Sequence, residues 1–260
     1  MKTALIISPH ADDAAAFCGA TLAKLSAQGW HLILVRVTDD QKDSIGFSVE
    51  ETIQINAQEM HAAAKILGIQ EIIELGFVTD SLTDVLLGTL RERFVYLFRK
   101  HKPYAVFTFD PFGLYEGNQD HTRVALAVEE AFWVSCFDKH YPEHFTEGLE
   151  PFSVCERWYF ARQLPEINHY EDVTETMDKK IMALCAHREM MKNTINQTRL
   201  QLKTHGKRMA MLDEAMNGDM SPLLGMVMQK MAGQWQRRRI GRKAGLQRHS
   251  ASHGLARWKN

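Results

Sequence analysis

The sequence places Ser8-Pro9-His10-Ala11-Asp12-Asp13 directly after an apolar run, Ala4 to Ser8, and at the start of a helical pattern. An imidazole and two adjacent carboxylates packed this closely are costly unless they share a task. Asp12 or Asp13 alone would serve as a helix cap, since a side-chain oxygen satisfies the free N–H groups of a first turn and the helix dipole favours negative charge there. A cap accounts for one Asp and leaves His10 unexplained. A second group of the same kind follows a later apolar run: Asp110-Pro111, then Tyr115, then Asn118-Gln119-Asp120-His121 before another helical pattern. Alone, this group reads as Asp120 capping the helix with His121 on the surface. With the first group, two imidazoles and a carboxylate converging from strand ends suit a catalytic zinc that keeps one position for water. The same donors suit Fe(II) or another divalent ion.

Such a convergence needs a scaffold in which both segments leave one edge of a sheet. The first two thirds of the chain supply it by alternating strand and helix patterns. The predicted strands are Ala4–Ser8, His31–Val37, Ile72–Leu75 and Tyr104–Phe109. The helices between and after them are Ala14–Gln28, Glu50–Leu67, Leu90–Lys100 and Thr122–Phe137, with Gly29, Gly68 and Pro103 as stops and Thr38–Ser48 as a loop. Near-continuous apolar strands alternating with helices imply a mostly parallel sheet covered on both faces, an α/β Rossmann-like doubly wound fold. Ligands bind such sheets beyond the carboxyl ends of the strands, where both polar groups fall. After Gly148 a further strand is expected at Arg157–Ala161 and one long amphipathic helix at Glu175–Lys203.

The 260 residues are 45% apolar and 24% charged, which excludes a disordered or collagen-like chain. Cys18, Cys136, Cys155 and Cys185 form no Cys-x-x-Cys pair, so a zinc ribbon or thioredoxin-like motif is absent and the thiols are expected to be buried small hydrophobes. No run approaches the ~18 apolar residues of a membrane span, and the first residues lack the order of a secretory signal, so a cytoplasmic location is expected. From Lys230 onward nine basic residues occur without an acid; removing them leaves 22 Lys and Arg against 32 acids, so residues 1–229 carry −10. The tail over 235–260 is expected to be basic and poorly ordered, and with aromatic residues only at Trp235 and Trp258 a nucleic-acid partner is not expected. The Met-rich stretch over 206–234 reads as a helical extension packing on the domain, residues 1–205, or on another subunit.

Both polar groups together resemble the LmbE-like (PIG-L-type) family of zinc-dependent N-acetylglucosaminyl deacetylases, which carries Pro-His-x-Asp-Asp after its first strand and His-x-Asp-His after its fourth. Glu59, the run Ala62 to Gly68, the segment Leu75 to Asp80, Asp172-Val173-Thr174, Lys180 and Ala186-His187-Arg188 extend the resemblance over roughly residues 1–190. It implies His10, Asp13 and His121 as zinc ligands and Asp12 as general base. It also implies Tyr115 as an oxyanion donor, one residue further from the motif than usual, and a small N-acyl amine of amino-sugar type as substrate. Three positions depart from the pattern: Asn118 replaces the first His of the second motif, Ala14 replaces a Glu, and Asn56 replaces a substrate-binding Arg. Asn118 can donate a hydrogen bond but cannot act as a protonated acid. These departures motivate two alternatives, an amidase for a larger or non-sugar N-acyl conjugate and a metal- or carbohydrate-binding pseudoenzyme. His187 is expected to pack structurally.

Overall fold

The computed structural model describes residues 1–228 and the backbone of 252–259. Five parallel strands follow the apolar runs: β1 (Thr3–Ser8), β2 (His31–Thr38), β3 (Glu71–Phe77), β4 (Ala105–Phe109) and β5 (Glu156–Phe160). Two further strands, β6 (His169–Asp172) and β7 (Ser252–Lys259), complete a seven-stranded sheet in the order β3-β2-β1-β4-β5-β7-β6, with β7 antiparallel to both neighbours. The sheet is mostly parallel and doubly wound, as the alternation of patterns predicts.

Burial explains why β1 and β2 have no polar face. Leu5 and Ile7 join Ile33, Val35 and Val106 in a core on one side, against α3 (Leu87–His101) and α4 (Gln119–Val134). Ala4 and Ile6 join Leu32, Leu34 and Phe107 on the other, against α1 (Gly19–Ala27) and α2 (Val49–Leu67). Alternate residues point to opposite faces, so a strand apolar on both must be covered on both. A third apolar cluster lies outside α1 and α2 and is filled from α5 (Met177–Ala186), α6 (Arg188–Thr204) and α7 (Ala210–Asn217).

Four expectations are corrected. Of the four cysteines only Cys18 is buried, while Cys136 and Cys155 are exposed and Cys185 is half-buried. The first helix does not begin as an α-helix: Ala14–Cys18 is a π-turn, and α1 follows it. The long helix expected over Glu175–Lys203 is two helices, interrupted at His187, which has φ −79° and ψ 56°. The helix expected from Thr122 starts at Gln119, which brings His121 into its first turn. The Met-rich stretch is helical over Ala210–Asn217 and again over 221–228. Residues 229–234 of that stretch, and the basic tail apart from the backbone of β7, lie outside the described residues. Among the described residues no helix is long and apolar enough to cross a membrane.

β1 lies between β2 and β4, the point at which successive connections diverge to opposite sides. That geometry opens a crevice at the carboxyl ends of these two strands. His10 follows β1 and His121 follows β4, so chain topology alone brings them to the same place.

Candidate metal centre

The turn after β1 is pinned before any metal is considered. Thr38 at the end of β2 donates from both its N–H (3.0 Å) and its hydroxyl (2.9 Å) to the Pro9 carbonyl. The Ser8 hydroxyl donates to the His10 carbonyl (2.7 Å) and accepts the Ala14 N–H (3.1 Å). Buried Asp40 accepts the Ala11 N–H at 3.2 Å and the Arg36 guanidinium at 3.1 Å. Asp13 is no helix cap: its Oδ2 accepts the His10 N–H at 2.9 Å, which turns the carboxylate back toward the imidazole.

At α4 the cap is Asn118, whose Oδ1 accepts the Asp120 N–H at 2.9 Å. Asp120 is thereby released from the role that its position suggests. Its carboxylate accepts the Asp80 N–H (2.7 Å) and the Leu82 N–H (3.2 Å), and its Oδ2 faces His10 Nε2 at 3.4 Å. The His121 ring stacks on Phe109 with centroids 3.9 Å apart, while its Nδ1 faces Glu116 Oε2 at 3.1 Å. Each imidazole thus has a carboxylate behind it, the arrangement by which proteins fix the orientation of a ligating histidine.

The forward faces converge. His10 Nδ1 lies 3.1 Å from His121 Nε2 and 3.2 Å from Asp13 Oδ2, and His121 Nε2 lies 3.3 Å from Asp13 Oδ1. All three residues are buried and their donor atoms lie within 4.8 Å of one another. Ligand bonds of about 2.0–2.1 Å set at tetrahedral angles give donor separations of about 3.3 Å, so the observed spacings fit a zinc-sized ion.

Charge gives the same answer. Burial opposes protonation of His10, but bonds to Asp120 and Asp13 outweigh it and hold the imidazole well above its ordinary pKa. Burial likewise opposes His121, and the charge of Asp13 and the contact with Glu116 raise it to about 9. Burial would raise Asp13, yet the two histidines hold it below the usual carboxylate range. The carboxylates therefore demand positive charge at a spot where two imidazoles 3.1 Å apart cannot both carry it. A divalent cation satisfies that demand and leaves both rings neutral, as ligation requires. Asp12, beside the cluster, is pushed up to about 7 by burial and by the negative charge of Asp13.

Residues 5–132 match the family model described as PIG-L, GlcNAc-PI de-N-acetylase. Over that segment the chain is similar to the PIG-L family. It is 28% identical over 189 residues to a diacetylchitobiose deacetylase of Thermococcus kodakarensis, covering 72% of this chain and 69% of that protein. Among solved structures, N,N'-diacetylchitobiose deacetylase from Pyrococcus horikoshii superposes with a TM-score of 0.75 at 22% identity, over 99% of this chain and 84% of that one. The 4-carboxy-2-hydroxymuconate hydratase of Pseudomonas putida superposes at 0.68 with 18% identity, over 99% and 96%. Both structures share the fold, and they are named for different activities.

The three departures from the PIG-L motifs have local explanations. Asn56 is wholly buried; its Nδ2 donates to the Asp40 carbonyl at 3.0 Å and its Oδ1 accepts the Ser44 hydroxyl at 3.0 Å, bracing the loop after β2. Ala14 packs in the core with Ile6 and Cys18. Asn118 uses its oxygen as the cap. Tyr115 is 82% exposed with φ +60°, on a loop tied to the segment following β5 by the Leu114 N–H to Gln163 carbonyl bond at 2.9 Å.

Sequence reasoning missed Glu116, whose Oε1 accepts the Asn118 N–H (2.9 Å) and the Arg162 guanidinium (3.3 Å) while Oε2 faces His121. Its one legible signal is an acid in the loop leading to a candidate ligand. Glu116→Gln keeps the shape and removes the charge behind His121. It is expected to weaken zinc about 10-fold. Competition with a chromophoric chelator measures this, and an unchanged affinity would remove Glu116 from the site.

Proposed function

We propose that this protein is a metal-dependent hydrolase that removes an N-acetyl group from a substrate of amino-sugar type. Zinc is the expected ion, His10, Asp13 and His121 its ligands, and Asp12 the general base. The observation that carries this reading is the set of three buried donor atoms spaced 3.1–3.3 Å apart at the crevice between β1 and β4, with Asp12 beside them.

A bound divalent cation supplies Lewis acidity toward an amide carbonyl and a water acidic enough to attack near neutral pH. The chain supplies the rest. Asp120 lies behind His10 and Glu116 behind His121, and the other ring nitrogens face inward. Asp12, with a pKa raised toward neutrality, takes the proton of the attacking water and hands it to the departing amine, which leaves neutral. Tyr115 and the Asn118 amide are the candidates for hydrogen bonds to the carbonyl oxygen. For Tyr115 this requires the exposed loop at 110–117 to fold over the bound substrate.

The test is release of primary amine from N,N'-diacetylchitobiose, N-acetylglucosamine and bulkier N-acyl amines by zinc-loaded protein. Turnover of an acetylated sugar is expected. Activity confined to the bulky or non-sugar amides would shift the substrate class, and none on any amide would overturn the hydrolase reading.

A further inference from the structure

α5 and α6 are separated by His187 alone, and the break is held from a distance. Both carboxylate oxygens of Glu59 on α2 accept the Glu189 N–H, at 3.2 and 3.0 Å, which caps the first turn of α6. The imidazole delivered by this break is 1% exposed, and its Nδ1 is buried with no hydrogen-bond partner. A buried polar atom left unpaired is costly, and a Phe or Leu would fill an apolar gap without that cost. The helix that ends at this residue borders the candidate site. α5 packs against the π-turn Ala14–Cys18, which begins at the residue after Asp13, and against α1 and α2. Burial keeps the ring neutral, and the charge that acts on it is that of Asp13.

Asp13 has a matching deficit. Its oxygens now lie against His10 and His121, but with a cation between them both imidazoles must turn their lone pairs to the ion. Asp13 then retains the His10 N–H, at 2.9 Å, and little else. Ligating carboxylates are ordinarily held by further hydrogen bonds.

We propose that His187 is a positioning residue for Asp13: its Nδ1–H, bridged by one buried water, steadies the carboxylate in the orientation that ligates the cation. This rests on the metal reading above. The experiment compares zinc dissociation constants, by chelator competition, for wild type, His187→Phe and His187→Asn, together with the melting temperature of each metal-free protein. His187→Phe is expected to weaken zinc 10–100-fold while the metal-free protein melts no lower than wild type. The Asn side-chain amide places a donor close to the Nδ1 position and is expected to restore affinity to within about threefold of wild type. Wild-type affinity in His187→Phe would overturn the proposal. So would an equal loss in both variants that follows a fall in melting temperature, since that is the mark of packing alone. Should His187→Phe fail to fold, His187→Ala takes its place under the same criteria. Failure of wild type itself to bind zinc would instead overturn the metal reading.

Discussion

Replacing Asp12 by Asn is expected to leave zinc content unchanged and to cut turnover by about 10²–10⁴-fold, the usual worth of a positioned general base. Asn preserves volume and polarity but cannot accept the proton of an attacking water. The size of the effect follows from how Asp12 is placed. Burial and the neighbouring negative charge of Asp13 raise it to about 7, which suits a group that must gain and lose a proton near neutral pH. The wild-type profile of kcat/KM is accordingly expected to fall on the acid side as Asp12 protonates. The midpoint should lie at or below about 7, because a bound cation lowers a nearby carboxylate. Asp12→Asn should lose that acid limb along with the rate. Full activity in the variant would show that another group takes the proton.

Asp13→Ala should act one step earlier, on the metal itself. Removing the only carboxylate among three donors is expected to weaken zinc more than ~100-fold, beyond the range of partners that merely orient a ligand. Elemental analysis after gel filtration is the measurement, and zinc retained near one per chain would mean the ion sits elsewhere. The metal-free wild type carries a related pH signature. His121 has its folded pKa raised to about 9 from 6.5, so its contribution is full below about 6.5 and is lost as pH rises through 9. Asp40 and Asp43, raised to about 7 chiefly by burial, act in the same sense at lower pH, because the native state there binds more protons than the unfolded chain. Melting temperature without metal should therefore fall between pH 6.5 and 9. Zinc should restore it most at the alkaline end, where fewer protons compete for the imidazoles.

Parts of this molecule are legible in a single sequence because their cause is local. β1, β2 and β4 read as apolar runs since both of their faces are covered, and α2 carries its own stops, a Ser48–Glu51 capping box and Gly68 at φ +74°. Other parts have distant causes. The helix expected over Glu175–Lys203 keeps its apolar spacing straight through His187, and what interrupts it is a carboxylate 130 residues earlier in the chain. β6 is four residues of mixed polarity and sends no strand signal. Glu116 looks like any loop acid until His121 is seen beside it.

The candidate site divides the same way. The residue types and their positions after the first and fourth strands belong to the sequence: His10, Asp12 and Asp13 in one turn, His121 opening a helix. Which of them meet, and at what spacing, belongs to the tertiary structure. β1 pairs with β4 across a hundred residues of chain, a contact that no local pattern encodes. That pairing sets two imidazoles and a carboxylate 3.1–3.3 Å apart. It also decides that Asn118 spends its oxygen on a helix end while Asp120 is free to face His10. Either residue can cap a helix, and burial beside an imidazole is what settles which of them does.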